Sequence, residues 1–245
     1  MIDTHAHIVS EYYDDIDLLV KELIEKNIIG VINNATNYKE ALEIIELSKK
    51  YNNFLYAAIG IHPENVEEDI NKIENLIKEN KIVAIGEIGL DYHWRKDNKE
   101  EQKEVFIKQL KLSKKYNLPV IIHTRDSIQD CLDIIKKQNV RGIMHCFSGS
   151  YEMAKEFIKY GFKLGIGGVL TFKNSKLYEV IEKVDLEDIV LETDSPYLSP
   201  EPFRGTKNIP SNVLYVAKKI AEIKNISVEK VIEKTTENAR NIFDF

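Results

Sequence analysis

Short apolar runs alternate with longer amphipathic segments along most of the chain. The apolar runs are rich in Ile and Val, and continuous runs such as Ile-Ile-Gly-Val-Ile are typical of parallel strands that are buried on both faces. These runs predict eight strands, at residues 2–8, 28–33, 54–61, 82–88, 119–123, 142–146, 162–167 and 189–193.

Helical periodicity fills the intervals between the apolar runs. Ile16, Leu19 and Leu23, for example, recur at the spacing of one helix face. Asn37 and Ser227 each precede such a segment and are expected to act as N-caps, as is the serine at position 150. The pattern predicts helices at residues 15–26, 39–51, 70–80, 100–116, 128–137, 151–160 and 176–184, with two more at 212–223 and 228–243.

Strand–helix alternation repeated eight times predicts a (β/α)8 TIM barrel, which is an α/β fold, with extra C-terminal helices. A length of 245 residues suits one such barrel, so residues 1–245 are expected to form a single domain. A doubly wound sheet is the alternative, but no Gly-x-Gly-x-x-Gly follows the first strand. Four prolines lie within 196–210 and predict a long, stiffened loop after the eighth strand.

Composition narrows the choice of partner and compartment. The net charge of −6 argues against a protein that coats duplex DNA through a basic surface. If the substrate is a phosphodiester, positive charge must be supplied locally, by metal ions and a few basic side chains. Two cysteines without a paired framework, no signal peptide and no apolar run long enough to span a bilayer predict a cytoplasmic protein that does not enter a membrane.

The most informative motif is the pair His5 and His7 in the first predicted strand. Alternate residues of a strand share a face, so the two imidazoles converge on one point, as two metal ligands must. Further polar side chains end other predicted strands, and in a barrel those strand ends meet at one mouth. The additional residues at these ends are His62, Glu87, His123, His145, Glu192 and Asp194.

Neutral imidazoles and carboxylates in one place are ligands for first-row divalent ions. A single His-x-His pair occurs by chance, and a single strand-end histidine is more often a structural hydrogen-bonding group. Six such motifs in order are hard to explain in that way. Histidine-rich ligation favours Zn, Mn or Co, and Mg is kept open as a fourth candidate.

Seven motifs together resemble the TatD family of metal-dependent deoxyribonucleases, and the resemblance spans the chain. They are Asp-Thr-His-Ala-His at 3–7, Gly-Ile-His-Pro at 60–63, Gly-Glu-Ile-Gly-Leu-Asp-Tyr at 86–92, Ile-Ile-His-Thr-Arg-Asp at 121–126, His-Cys-Phe-Ser-Gly at 145–149, Thr-Phe-Lys at 171–173 and Glu-Thr-Asp-Ser-Pro-Tyr-Leu at 192–198. The resemblance implies an amidohydrolase-like barrel with a binuclear metal site that hydrolyses DNA phosphodiester bonds, as an exonuclease that acts on 3′ ends.

Carried over by position, the resemblance implies two groups of metal ligands that share one carboxylate. The first ion is assigned to His5, His7, Glu87 and Asp194, and the second to Glu87, His123 and His145. Glu87 is expected to bridge, since a carboxylate has two oxygens and two-metal hydrolases hold their ions about 3.5–4 Å apart. Asp194 is also expected to accept the proton of the attacking water.

Other residues are candidates for contacts around the metals. Glu192 is either a proton shuttle or a carboxylate that orients a ligand histidine. His62 is expected to contact substrate, with a buried structural histidine as the alternative. Arg204, in the proline-rich loop, is expected to clamp a phosphate. Arg125 either faces the same pocket or pairs with a nearby carboxylate such as Asp126.

The favoured function is cleavage of DNA by metal-activated water, on single strands or frayed ends. A hydrolase of C–N or ester bonds, such as an aminoacyl-tRNA deacylase, is the first alternative, because the same barrel and ions serve that chemistry. A non-catalytic binding module that has kept the fold is the second alternative, and the complete ligand set argues against it.

Overall fold

A computed structural model describes all residues from Met1 to Phe245, and its centre is an eight-stranded parallel sheet in the order β1 to β8. An isolated bridge between Ala6 and Ser195 and a hydrogen bond from the His7 amide to the Ser195 carbonyl bring β8 back to β1. The predicted TIM barrel is confirmed. The strands are β1 (Ile2–Ala6), β2 (Gly30–Asn34), β3 (Leu55–Ile59), β4 (Ala84–Asp91), β5 (Val120–Arg125), β6 (Gly142–Met144), β7 (Phe162–Ile166) and β8 (Ile189–Leu191).

Helices surround the sheet at the positions that hydrophobic periodicity predicts. Asn37, Ser150 and Ser227 each accept a hydrogen bond from the amide three residues later, so all three predicted N-caps are confirmed. The helices are α1 (Ile16–Glu25), α2 (Tyr38–Lys50), α3 (Ile70–Glu79), α4 (Lys99–Tyr116), α5 (Ile128–Ile135), α6 (Tyr151–Lys159), α7 (Leu177–Lys183), α8 (Val213–Lys224) and α9 (Val228–Phe243).

Two apolar clusters hold the barrel together. The larger one fills the layer between sheet and helices. The smaller one is formed by inward-facing strand residues such as Ile32, Ile121 and Val190, together with Ile242 and Phe243 of α9. The extra C-terminal helix therefore packs on the barrel interior at the end away from the loops that follow the strands. None of the helices combines the length and the apolar character needed to cross a bilayer.

The pairing register shifts in two strands, and each shift lies beside a predicted metal ligand. In β1 the pairing with β2 shifts between Asp3 and Ala6, and in β4 the pairing with β5 shifts between Ile85 and Ile88. Each shift places an extra residue in the strand, which is the pattern of a β-bulge that redirects side chains. β4 also continues to Asp91, beyond the end predicted at residue 88, so Glu87 lies inside the strand and not at its end.

Candidate metal centre

Strand β1 directs two imidazoles to one point, as the His-x-His spacing predicts. His5 and His7 are 0% and 4% exposed, and their Nε2 atoms lie 3.1 Å apart. His7 Nδ1 lies 3.0 Å from the carbonyl oxygen of Asn34. Because a carbonyl only accepts, Nδ1 carries the hydrogen and the Nε2 lone pair of His7 faces the point where the two rings meet.

Glu87 lies at the middle of the site and offers one oxygen to each of two histidine pairs. Its Oε2 is 3.4 Å from His5 Nε2 and 3.6 Å from His7 Nε2. Its Oε1 is 2.8 Å from His123 Nδ1 and 3.7 Å from His145 Nε2. A buried carboxylate between four imidazoles has the connections that a bridging ligand requires.

Asp194 approaches the same point from the turn that follows β8. Its Oδ1 lies 3.7 Å from His5 Nε2 and 3.5 Å from the Nε2 atoms of His7 and His145. The Asp194 amide donates to the His5 carbonyl, which fixes the turn against β1. The structure thus brings together all six predicted ligands, and we call them the ligand cluster: His5, His7, Glu87, His123, His145 and Asp194.

Glu192 lies behind this cluster and not within it. The side chain is fully buried, and its Oε1 lies 3.0 Å from His145 Nδ1 and accepts a hydrogen bond from the Cys146 amide at 2.6 Å. A carboxylate beside Nδ1 turns the Nε2 side of the His145 ring toward Glu87 and Asp194. This arrangement is that of a carboxylate that orients a histidine.

Asp91 is a site residue that the sequence reasoning missed. Its Oδ2 lies 3.1 Å from His123 Nε2, so both nitrogens of that ring face carboxylates. The predicted strand ended at residue 88, which left Asp91 in the following loop. Glu87 and Asp91 are four residues apart, which places both side chains on one face of a strand. That spacing would have pointed to Asp91 only if the predicted strand had continued past residue 88.

His62 lies beside the ligand cluster, and its two ring nitrogens have different partners. Its Nδ1 accepts a hydrogen bond from the Glu64 amide at 3.2 Å, while its Nε2 lies 4.0 Å from Glu87 Oε1. Burial lowers the pKa of His62 to about 3, so the ring is neutral and carries its one hydrogen on Nε2. An N–H that points into the site is a hydrogen-bond donor, which fits a substrate contact better than a metal ligand.

The two arginines predicted to contact substrate lie outside the ligand cluster and make no ion pair with it. Arg125 is exposed at the end of β5, with its guanidinium carbon 5.2 Å from the centre of the Trp94 ring. Arg204 is exposed in the loop after β8, and its guanidinium carbon lies 3.8 Å from the centre of the Phe172 ring. Arg204 also lines a cavity of about 470 Å³ together with Lys173.

The carboxylates favour positive charge at the centre. Burial opposes ionisation of Glu87, yet the neighbouring histidines hold its pKa well below its ordinary value, and the pKa of Asp194 is lowered for the same reason. Burial also opposes a charge on His123 and His145. The carboxylates nonetheless raise the pKa of His123 to about 9 and that of His145 to about 10.

These features fit divalent metal ions. Within the ligand cluster the donor atoms form two overlapping groups, and in each group the ligand atoms lie within 4.8 Å of one another: His5, His7 and Asp194; His5, Glu87 and His145. Facing imidazole nitrogens and ionised carboxylates in a buried pocket are the chemistry that a cation satisfies.

Comparison with known proteins agrees with this geometry. The family model described as TatD related DNase matches residues 2–244. The chain belongs to the TatD family. Among TatD relatives, it is 45% identical to the uncharacterized metal-dependent hydrolase YabD of Bacillus subtilis, over 99% of this chain and 98% of that protein. It is also 31% identical to the human deoxyribonuclease TATDN3, over 99% of this chain and 94% of the relative.

Solved TatD structures share the whole architecture. The crystal structure of YJJV, a TatD homologue from Escherichia coli, aligns with a TM-score of 0.94 at 30% identity and covers 100% of this chain and 98% of that one. A TatD family hydrolase from Entamoeba histolytica aligns with a TM-score of 0.84 at 24% identity, over 99% and 97% of the two chains, and supports the fold. The protein is therefore a metal-dependent hydrolase of the TatD family.

Proposed function

We propose that this TatD protein hydrolyses DNA phosphodiester bonds with two divalent ions, as a 3′-to-5′ exonuclease on single strands or frayed ends. The observation that carries the proposal is the position of Glu87 between two pairs of histidines, one pair at each carboxylate oxygen. The family description and the deoxyribonuclease name of the human relative support DNA as the substrate.

The proposed ligands divide around Glu87. His5, His7, Glu87 and Asp194 would hold one ion, and Glu87, His123 and His145 would hold the other. When bound, the ions would supply positive charge for an anionic phosphodiester and lower the pKa of water toward about 7. His145 lies close to both groups, since its Nε2 is 3.7 Å from Glu87 Oε1 and 3.5 Å from Asp194 Oδ1.

Asp194 is the proposed acceptor of the proton from the attacking water. Its side chain is 15% exposed, whereas Glu192 is fully buried, so Asp194 is the one that substrate water can reach. Its lowered pKa keeps it ionised and able to accept. For Glu192, which the sequence left between two roles, the contact with His145 Nδ1 favours positioning of that ring.

Substrate contacts would come from the groups around the cluster. His62 presents an Nε2 hydrogen toward the centre and would donate it to a phosphoryl oxygen. Arg125 and Arg204 are the proposed phosphate contacts on the rim. Cys131 and Cys146 are both free thiols, which is in keeping with the proposed cytoplasmic location.

The experiment begins with chelation, followed by restoration of Mg, Mn, Co or Zn one at a time. Turnover would be followed on 5′-labelled single-stranded DNA, the matching duplex and an aminoacyl-tRNA. We expect a ladder of products that shorten from the 3′ end of the single strand, and only after metal is restored. Deacylation of the tRNA without cleavage of any DNA would instead favour the ester hydrolase.

Replacement of Arg204 tests the proposed phosphate clamp. Loss of a charge-assisted contact of about 1.5–3 kcal/mol should raise KM for DNA or lower kcat/KM by about 10- to 150-fold in Arg204→Ala. Metal content should be unchanged, and Arg204→Lys should recover only part of the loss because it lacks the guanidinium fork. Unchanged kinetics on DNA would show that this loop does not contact phosphate.

A further inference from the structure

Trp94 is the most exposed large hydrophobic side chain on the protein, at 64%, and it lies beside the metal centre. It belongs to the loop that joins β4 to α4, on the face where the strands end. A residue so exposed contributes little to the core. It is also the chain's single tryptophan. Its position therefore calls for an explanation other than packing.

The local structure ties the Trp94 loop to a neighbour of His123, which is a predicted ligand. Asp91 Oδ2 lies 3.1 Å from His123 Nε2. The other oxygen of Asp91 accepts from the amides of His93 and Trp94, at 2.8 and 3.4 Å. The Trp94 loop is thereby tied to the same carboxylate that contacts His123.

Two further side chains limit where the indole can go. The Arg125 guanidinium carbon lies 5.2 Å from the Trp94 ring centre, within the range of a cation–π contact. Arg125 is two residues after His123 on β5, so the two share a strand face. The His93 ring meets the indole edge-on at 4.8 Å, and its Nδ1 lies 3.3 Å from Asp126 Oδ2 in the neighbouring loop.

We propose that Trp94 and Arg125 form a nucleobase-stacking subsite that selects unpaired nucleotides next to the cleaved phosphodiester. This inference rests on the proposed DNA hydrolysis. A base presents a π-face to an indole whatever its identity, and Arg125 adds a charge for the adjacent phosphate. In a duplex the base faces are covered by their neighbours, so a stacking subsite favours single strands. The net charge of −6 argues against selection through a broad basic surface.

A binding measurement can test the stack without turnover, because all tryptophan emission comes from Trp94. Metal-loaded protein would be titrated with a phosphorothioate oligothymidylate, and with an oligomer of equal length and linkage that carries abasic sugars. We expect saturable quenching of the emission by the oligothymidylate and little change with the abasic chain. Equal responses to the two oligomers, or no response to the first, would overturn the proposal.

Substitution gives a second, kinetic test. Trp94→Ala should raise KM for single-stranded DNA by about 5- to 150-fold, the value of one base–aromatic stack, with kcat and metal content largely retained. Trp94→Phe should recover most of the loss, and Trp94→Leu, which is apolar but not aromatic, should not. Cleavage of an abasic strand should be affected little by any of the three changes.

A half-buried tyrosine at the opposite end of the barrel provides an aromatic control. Tyr160, at the C-terminal end of α6, has a lysine nitrogen 5.8 Å from the centre of its ring. Tyr160→Ala should leave the preference for single strands unchanged.

If wild-type protein cleaves no DNA with any metal, the proposed function fails, while the fluorescence titration still tests stacking. If wild type cleaves single strands and Trp94→Ala keeps the same KM and the same preference over duplex, the stacking subsite fails alone.

Discussion

Among single residues, Glu87 is the side chain whose removal should disturb the centre most. It is 3% exposed and within 4.0 Å of five histidines, so Glu87→Ala would remove a ligand from both proposed ions and the carboxylate that lies between the histidines. We expect loss of bound metal and a rate loss larger than the ~10–100-fold that follows removal of an outer-shell partner. Metal content of the purified variant and its rate on DNA are the measurements.

An acidic residue on the opposite end of the barrel provides the control for this change. Glu79, exposed at the end of α3, makes no ion pair, and Glu79→Ala should keep full metal content and activity. The bridging assignment would be wrong if Glu87→Ala retained both ions and turned over DNA at a near-normal rate.

Some residues of the candidate site could be predicted from the sequence because a short motif contains them. His5-x-His7 predicts two converging imidazoles by strand alternation alone, and the structure places both in the ligand cluster. Asp91 could not be predicted in the same way, because its contact with His123 depends on the true end of β4. The ring orientation of His62 likewise depends on the Glu64 amide, which no sequence pattern specifies.

At the level of elements, the close packing of β7 against β8 leaves room for Glu192 only because position 165 is a glycine. A Cβ built on Gly165 would lie 2.2 Å from Glu192 Oε2. Gly165→Ala should therefore displace that carboxylate and the His145 ring it orients, with a loss on the order of 10–100-fold in metal affinity or activity. Metal titration and kinetics on DNA measure the effect.

Gly167 is a matched control on the same side of the chain. A Cβ there would lie 3.6 Å from Glu192 Cγ, which is ordinary contact, so Gly167→Ala should bind metal nearly as the wild type does. Equal behaviour of the two variants would mean that the position of Glu192 does not matter to His145.

The cap of the last helix should affect stability and leave the chemistry alone. Ser227 accepts from the Lys230 amide at 3.2 Å and begins α9, which packs on the barrel interior away from the ligand cluster. Ser227→Ala should lower the free energy of unfolding by about 0.5–2 kcal/mol, and Ser227→Asp should preserve it. Urea titration measures the change, and a shift in metal affinity would contradict the separation of α9 from the centre.

Element types were easier to predict than element ends. The alternation of apolar runs and amphipathic segments identifies eight strands and nine helices, because it reflects burial against a sheet that is covered on its outer face. The ends of β4 and β6 differ from prediction for local reasons. Strand β4 keeps pairing with β5 after its bulge, as far as Asp91 opposite Arg125, and β6 stops at Met144, two residues before Cys146 takes a left-handed conformation with φ of 46°.

For the molecule as a whole, stability and metal binding should be linked through protons. Carboxylates raise the pKa of His123 to about 9 and that of His145 to about 10, against about 6.5 in an unfolded chain. Between these values the folded protein without metal binds more protons than the unfolded chain. The stability from these two groups is therefore complete below about pH 6.5 and is lost as the pH rises toward 10. The pKa values of Glu87 and Asp194 are lowered, so their contribution is lost only in acid.

The free energy of unfolding of the chelated protein should accordingly fall as the pH rises from 6.5 to 9, by up to about 1.4 kcal/mol per pH unit for each histidine, and Tm should fall with it. Divalent ions compete with these protons for the same nitrogens, so the rise in Tm on adding Mn or Mg should be larger at pH 8.5 than at pH 6. Thermal unfolding in EDTA and in excess metal across this range measures both effects. His123→Asn removes one of the two histidines with a raised pKa, so the Tm of the chelated variant should depend less on pH. A metal-induced gain in Tm that is larger at pH 6 would mean that protons and ions do not share these histidines.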